Sequence, residues 1–175
     1  MTKIINLYGG PGTGKSTAAA YLYWFLKNRG ENAELVREYV KDWAWEGRKI
    51  GPYDQLYFLS KQTRRETLMY GKVTHIVTDS PVMLGAYYAS RYSPPDIAQS
   101  VLHSVQGFYR QAAKDGHQHL HVFLKRTKAY NQAGRFESEA EALQIDDEMQ
   151  KFLTEQGVAY SLSGTSPAEL QSIFT

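Results

Sequence analysis

The residues with the clearest chemical meaning lie near the start of the chain, where GGPGTGKS at residues 9–16 fits the pattern G-x-x-x-x-G-K-[ST] at every fixed position. Glycines let the backbone curl around an anion with its N–H groups pointing inward, and a following helix adds the positive end of its dipole. We therefore expect Lys15 to contact the β- and γ-phosphates of ATP and Ser16 to ligate Mg²⁺. The expected nucleotide-binding residues are Gly9, Gly10, Pro11, Gly12, Thr13, Gly14, Lys15, Ser16 and Thr17.

A second carboxylate is expected at the end of another strand, because Mg²⁺ at such a loop is also held by an acidic side chain. Asp79 follows the apolar run at residues 74–78 and is the candidate for this role. It could instead cap the next helix, with Pro81 in the first turn, and the two roles are compatible. The expected cofactors are therefore ATP and Mg²⁺.

A carboxylate that faces a substrate hydroxyl could accept its proton during phosphoryl transfer. Glu38 comes directly after the predicted strand at residues 33–37, with Asp42 as the competing carboxylate. In a parallel sheet the carboxyl ends of the strands share one edge, where ligands bind. Glu38 and Asp79 should therefore converge with the glycine-rich loop, unless Glu38 is only a solvated surface residue.

Basic residues are clustered at positions 125–137, a segment with no clear periodicity that we interpret as a lid. Cations here could neutralise charge on the transferring phosphoryl group. The candidates are Lys125, Arg126, Lys128 and Arg135. We favour Arg126 and Arg135 as catalytic residues, because the guanidinium fork suits phosphate geometry. The alternative is a solvated basic loop.

An acceptor pocket is suggested by aromatic and glutamine side chains after the second predicted strand. Aromatic faces can stack on a base, and a glutamine amide can pair with its edge. The candidates are Tyr39, Trp43, Trp45, Tyr53, Gln55, Tyr57 and Gln62, of which Tyr39, Trp43, Gln55 and Gln62 are expected to bind substrate together with Glu38. Ordinary helix packing is the competing explanation for each of them. The five histidines show no metal-ligand spacing.

The elements that must position these residues alternate between strands and helices, which predicts an α/β fold with a parallel sheet covered on both faces. Strands are predicted at residues 3–8, 33–37, 74–78, 120–124 and 158–162. Helices are predicted at residues 15–29, 53–70, 82–92, 96–114, 139–156 and 167–173, with residues 38–49 partly helical. Ser138 and Glu141 have the form of a capping box before the helix predicted at 139–156.

Composition limits the remaining possibilities. A length of 175 residues predicts one domain over positions 1–175, and the net charge of +2 does not by itself indicate nucleic-acid binding. The absence of cysteine removes disulfides and thiolate chemistry. No apolar run is long enough to span a membrane, and the N-terminus is too polar for a signal peptide. We therefore expect a cytoplasmic protein without a membrane partner.

Three protein classes share a loop of this kind. A GTPase would need Asn-Lys-x-Asp, which is absent. An AAA+ or transport ATPase would usually be longer and carry an adjacent acidic pair, whereas Asp79 is followed by Ser80. A small kinase needs an acceptor pocket, a base and lid cations, and the chain offers candidates for all three. A nucleotide-binding switch or ATPase with a protein partner remains the alternative from another class.

Three motifs at residues 7–17, 36–40 and 77–81 resemble those of small P-loop kinases of the nucleoside and nucleotide kinase group. The chain is most similar to short phage-type proteins described as ATPase-like or NadR-like kinases. The resemblance implies a P-loop NTPase fold with strand order 2-3-1-4-5. Deoxynucleoside kinases carry a catalytic Glu in Glu-Pro-Val with a Trp shortly after, and Glu38-Tyr39-Val40 with Trp43 is similar, with Tyr39 replacing the Pro. Those kinases also have Arg after the acidic residue of the third strand, and here Ser80 follows Asp79 directly, so that phosphate contact must come from elsewhere.

The resemblance implies transfer of the γ-phosphoryl group of ATP to a hydroxyl of a nucleoside-like or nucleotide-like acceptor. It is also compatible with a kinase that acts on the hydroxymethyl group of a modified pyrimidine, 5-hydroxymethyluracil, within phage DNA. The expected partner is therefore a small acceptor or, in the alternative, DNA. The sequence leaves the oligomeric state open, with a dimer as one option.

Overall fold

The computed structural model describes residues 1–127, 130–131 and 137–174. Five parallel strands form one sheet in the order β2-β3-β1-β4-β5, which confirms the expected architecture. The strands are β1 (Lys3–Tyr8), β2 (Ala33–Val36), β3 (His75–Thr78), β4 (Gln118–Leu124) and β5 (Ser161–Ser163). The helices are α1 (Lys15–Asn28), α2 (Lys41–Trp45), α3 (Asp54–Thr67), α4 (Val82–Tyr92), α5 (Pro95–Lys114), α6 (Glu139–Glu155) and α7 (Pro167–Gln171).

The central strand β1 is buried on both faces, as its apolar run suggests. On one face Ile5 and Leu7 pack with Leu22 of α1 and Leu170 of α7. On the other face Tyr8 lies in a cluster built from α3, α4, α5 and α6. A strand covered on both faces is expected to be mostly apolar, which explains why β1 shows no alternation of polar and apolar residues. Its fully buried polar side chain, Asn6, donates from Nδ2 to the carbonyl of Ile4 over 3.1 Å. Within the described residues, no helix is both long and apolar enough to cross a bilayer.

The predicted strand at residues 158–162 is wrong in its position, since β5 covers only Ser161–Ser163. The reason lies in the end of α6. Gly157 adopts a positive φ of 68°, and the N–H of Val158 donates to the carbonyl of Leu153 over 2.9 Å. This arrangement closes the helix and takes Val158 out of the sheet, so its apolar character reflects packing against α6 and not strand pairing.

A group of buried polar side chains lies below the glycine-rich loop, and we call it the buried polar cluster: Tyr8, Glu66, Tyr70, His119 and His121. The Tyr8 hydroxyl and His121 Nδ1 are 2.9 Å apart, and Tyr70 donates to Glu66 Oε1 over 2.6 Å. Burial lowers the pKa of His119 to about 3 and of His121 to about 4, and it raises the pKa of Glu66 to about 7. The two histidines therefore pack as neutral side chains at pH 7.

Candidate active site

The glycine-rich loop connects β1 to α1 and is held tightly by its neighbours. A Cβ atom on Gly10 would lie 2.6 Å from Asp146 Oδ1, and one on Gly12, where φ is 82°, would lie 2.8 Å from the Tyr130 ring. Both positions therefore require glycine. Lys15 Nζ donates to the carbonyls of Gly9 and Gly10 over 2.6 and 3.0 Å. These carbonyls hold the ammonium group over the loop, where a phosphate would approach it.

The electrostatic environment of Lys15 combines burial with four nearby carboxylates. Burial lowers the pKa of Lys15, and the charges of Glu38, Asp79, Asp146 and Glu137 oppose this effect in that order of size. The hydroxyls of Ser16 and Thr17, by contrast, belong to exposed residues at the start of α1. The loop therefore presents one shielded cation and two accessible hydroxyl groups.

Asp79 and Glu38 meet at the carboxyl ends of β3 and β2, as the strand rule predicts. The backbone N–H of Glu38 donates to Asp79 Oδ1 over 2.9 Å, and Asp79 is only 3% exposed. Asp79 is not a helix cap: α4 begins after Pro81 without a side-chain capping bond. The reason is that its carboxylate turns toward β2 and joins the two strand ends.

Glu38 lines the cavity beside the glycine-rich loop, whereas Asp42 is exposed on α2 and does not line it. Burial raises the pKa of Glu38, the charge of Lys15 lowers it, and the charge of Asp79 raises it again. A carboxylate with a raised pKa holds a proton more strongly than an exposed glutamate does. The geometry therefore separates the two competing carboxylates in favour of Glu38.

The residues present fit a magnesium ion that is shared with a nucleotide. Mg²⁺ usually keeps several waters and binds one or two protein side chains together with phosphate oxygens. Ser16 and Asp79 supply one hydroxyl and one carboxylate at the same edge of the sheet. Among the residues that the structure describes, no group of three or more His, Asp or Glu side chains could hold a metal without a nucleotide.

A cavity of about 1180 Å³ extends from the glycine-rich loop to the face of α3. Gln55 and Gln62 lie two turns apart on α3, line the cavity and are each 6% exposed. Gln62 Oε1 accepts from the N–H of Tyr39 over 3.2 Å, while its buried Nε2 has no hydrogen-bond partner in the described part of the chain. Gln62 therefore carries an unused donor on a side chain that lines the cavity and is oriented by its bond to Tyr39.

Some of the aromatic candidates line the cavity, and others do not. The candidates Tyr39 and Trp45 line the cavity, together with Phe58, which was not among the candidates. Trp43, which we expected at the wall, does not line it, because its ring packs edge to face on Phe58 at 4.9 Å between centroids. Tyr53 and Tyr57 are exposed and do not line the cavity either.

The described part of the predicted lid places Arg126 against the loop. Arg126 Nε donates to Asp146 Oδ2 over 2.8 Å, and Asp146 Oδ1 accepts from the N–H of Gly10 over 2.5 Å. Arg126 is therefore not part of a solvated basic loop. Lys125 is exposed, and Lys128 and Arg135 lie outside the described residues.

Several residues of the site escaped the sequence analysis: Phe58, Tyr88, Glu137 and Asp146. One signal was present for Asp146. Ala142, Ile145, Asp146 and Met149 follow the i, i+3, i+4, i+7 spacing of a buried helix face, and Ala142, Ile145 and Met149 are fully buried. A carboxylate on such a face needs a specific partner, which the helix pattern alone does not name.

These observations define the class of the protein. A parallel sheet of order β2-β3-β1-β4-β5, whose central strand leads through GGPGTGKS into α1, is the P-loop NTPase fold. The family follows from the sequence itself. The chain belongs to the AAA domain family AAA_28, whose model matches residues 4–167. No curated protein matches the chain.

Solved structures share this fold at low sequence identity. NadR in complex with NR has a TM-score of 0.68 at 17% identity, over 93% of this chain and 45% of the NadR chain. Deoxyadenosine kinase from M. mycoides, with dCMP and dCDP bound, has a TM-score of 0.55 at 12% identity, over 98% of this chain and 96% of that chain. The chain thus spans slightly less than half of the NadR chains that it matches. At these identities the likeness concerns the fold.

Proposed function

We propose that the protein is a kinase that transfers the γ-phosphoryl group of ATP to a hydroxyl of a nucleoside-like or nucleotide-like acceptor. The observation that carries this proposal is the cavity itself. It begins at a P-loop, passes Glu38 and ends at the two buried glutamines of α3. At about 1180 Å³ it exceeds the usual volume of a pocket for one small ligand, roughly 300–1,000 Å³. Its size supports simultaneous binding of a donor and an acceptor.

On the donor side, the residues of the P-loop hold the triphosphate. The backbone N–H groups and the start of α1 favour negative charge, and Lys15 adds its ammonium group to the β- and γ-phosphates. Ser16 and Asp79 would hold Mg²⁺, which neutralises charge on the phosphates when it is bound. Arg126, whose Nη1 lies close to Gly12 of the loop, adds a second cation.

On the acceptor side, Glu38 is suited to accept the proton of the attacking hydroxyl. In the proposed reaction the acceptor oxygen forms a bond to the γ-phosphorus, and the bond from that phosphorus to the β,γ-bridging oxygen breaks. ADP leaves with the bridging electrons, and the hydroxyl proton goes to Glu38. The raised pKa of Glu38 supports this assignment.

Recognition of the acceptor is assigned to the α3 face. The unpartnered Nε2 of Gln62 suits a carbonyl or ring nitrogen at the edge of a planar base. Phe58 and Tyr39 supply flat apolar surface beside it. NadR with NR and deoxyadenosine kinase with dCMP and dCDP, both of the same fold, bind nucleosides or nucleotides, which supports this acceptor class.

A second candidate is the kinase acting on the hydroxymethyl group of 5-hydroxymethyluracil within phage DNA. It is favoured by the segment around α2, where the exposed ring of Trp45 lines the cavity together with the cations Lys41, Arg48 and Lys49. Exposed rings and cations along one surface suit the stacked bases and phosphates of a single strand. This candidate uses the same donor site and the same proposed base.

One experiment tests both candidates and the ATPase alternative. The protein is incubated with γ-labelled ATP, Mg²⁺ and panels of nucleosides, nucleotides and single-stranded oligonucleotides with or without 5-hydroxymethyluracil. Label transferred to one small-molecule panel supports the first candidate, and label on the modified oligonucleotide alone supports the second. ADP release that no acceptor stimulates contradicts the kinase assignment and points to a switch or ATPase.

A further inference from the structure

Asp146 on α6 contacts two parts of the proposed nucleotide site at once. One carboxylate oxygen accepts from the N–H of Gly10 in the P-loop, and the other accepts from Nε of Arg126. The Arg126 and Asp146 side chains are only 13% and 14% exposed. An ion pair shielded to this degree is much less screened by water and salt than a surface pair. The next residue, Asp147, is exposed on the same helix.

One of the three guanidinium nitrogens of Arg126 has no hydrogen-bond acceptor among the described residues. Nη2 donates to the carbonyl of Ala142 over 3.3 Å, whereas Nη1 is buried and has no acceptor among the described residues. Nη1 lies 3.2 Å from the position that a Cβ atom on Gly12 would take, so it is directed at the P-loop. A buried N–H group without an acceptor costs free energy, and a phosphate oxygen would supply that acceptor.

We propose that Asp146 is a positioning residue of the nucleotide site, which holds Arg126 against the P-loop so that Nη1 meets a phosphate. The inference rests on the ATP site of the proposed function and does not depend on the acceptor. In the wild-type protein the carboxylate serves the nucleotide through Arg126. Without Arg126, the same carboxylate stands unpaired beside the loop and repels the phosphates.

This double role predicts that the effect of one substitution depends on the other. Asp146→Asn keeps an oxygen for the N–H of Gly10 but loses the charge that holds Arg126, so we expect the Kd of the AMP-PNP–Mg²⁺ complex to rise about tenfold. In Arg126→Ala, the added change Asp146→Asn removes a repulsive charge. There we expect the Kd to stay the same or to fall. Titration calorimetry on the four proteins measures this, with Asp147→Asn as the matched control.

If Asp146 acted on the P-loop only through the N–H of Gly10, the pattern would be different. Asp146→Asn would then change the Kd by the same factor with Arg126 present or absent, and this result overturns the proposal. So does a wild-type Kd for Asp146→Asn. Thermal unfolding of each variant without nucleotide separates loss of the fold from loss of affinity.

A second variant keeps the test decisive if Asp146→Asn fails to fold. Arg126→Lys retains the positive charge but cannot bond Asp146 and reach a phosphate with separate nitrogens of one planar group. We expect its Kd for AMP-PNP to rise severalfold, and an unchanged Kd overturns the proposal. If the wild-type protein does not bind AMP-PNP, the proposed function itself fails. If it binds and the variants behave as Asp147→Asn does, only the role of Asp146 fails.

Discussion

The backbone N–H of Glu38 donates a hydrogen bond to Oδ1 of Asp79 over 2.9 Å and so joins the carboxyl ends of β2 and β3. This bond ties the proposed base to the proposed magnesium ligand. The charge of Asp79 also contributes to the raised pKa of Glu38, although burial is the larger cause. A substitution of Asp79 is therefore expected to change the pKa of Glu38 as well. The roles of the two residues have to be tested by different measurements, Mg²⁺ dependence for Asp79 and the transfer rate for Glu38.

Lys15→Ala is expected to remove phosphoryl transfer while the fold remains. The hydrogen bonds of Lys15 Nζ go to carbonyls of its own loop, so their loss leaves the core intact. The missing charge should cost about 3–4 kcal/mol in the transfer barrier, or roughly 10²–10³-fold in rate. Labelled-ATP assays and thermal unfolding measure the two effects, with Lys27→Ala at the far end of α1 as control. Normal turnover by folded Lys15→Ala would contradict the assignment of the P-loop.

Asp79→Asn is expected to shift the magnesium dependence of transfer more than the affinity for ATP. The amide oxygen can still accept from the N–H of Glu38, so the link between β2 and β3 is kept. The charge that would attract the cation is lost. Titration of the transfer rate with Mg²⁺ measures the shift. An unchanged titration would mean that the metal is held by other residues.

Glu38→Gln tests the base, because the amide keeps the size of the side chain but cannot accept a proton at neutral pH. We expect ATP affinity to hold while transfer falls roughly 10²–10⁴-fold, nearer the lower end because the transition state of phosphoryl transfer is loose. Basal ATP hydrolysis should remain. Asp42→Asn is the matched control on α2. Equal loss of transfer and hydrolysis would indicate a folding or metal defect, and loss of neither would remove Glu38 from the mechanism.

Gln62→Met tests recognition of the acceptor. The thioether fills similar space but loses the Nε2 donor, so the KM for the acceptor should rise about tenfold or more. The KM for ATP should stay near its wild-type value, because Gln62 lies at the α3 end of the cavity. The Tyr39 N–H also loses its acceptor, and thermal unfolding measures that separate cost. A parallel rise in both KM values would assign Gln62 to general stability.

Glu66→Gln tests the buried polar cluster through the pH dependence of stability. The fold raises the pKa of Glu66 from 4.5 to about 7, so folding favours the protonated form. The stability that this form contributes is complete below pH 4.5 and is lost as the pH rises through about 7. The amide that Glu66→Gln introduces does not ionise, while its oxygen can still accept from the Tyr70 hydroxyl.

The free energy of unfolding of Glu66→Gln should therefore increase relative to wild type between pH 4.5 and 7, by up to about 3 kcal/mol. Urea unfolding at several pH values measures this difference. His119 and His121, whose pKa values are lowered to about 3 and about 4, titrate below this pH range. A difference that does not change with pH would show that Glu66 is ionised throughout.

Sequence could predict the parts of the site whose signal is local. The P-loop is one contiguous motif, and the rule for parallel strands is enough to bring Glu38 and Asp79 to one edge of the sheet. Sequence could not predict that Asp146 bonds Gly10, because the two residues are 136 positions apart and meet only through the packing of α6. Val158 shows that a local signal can also mislead. An apolar residue at this position suits a strand as well as the end of a helix, and the structure uses it to close α6.

The two proposed substrates draw on different parts of the chain. In the proposed reaction the nucleotide would be held by residues 9–17 and by Arg126, which Asp146 contacts, whereas the acceptor would meet Glu38 and one face of α3. The bond between Glu38 and Asp79 links the acceptor side to the metal side. Gln55 and Gln62 can therefore be exchanged without touching the phosphate loop. Under the proposed function, acceptor preference is therefore a property that selection or an engineer could change on one helix while the use of ATP is kept.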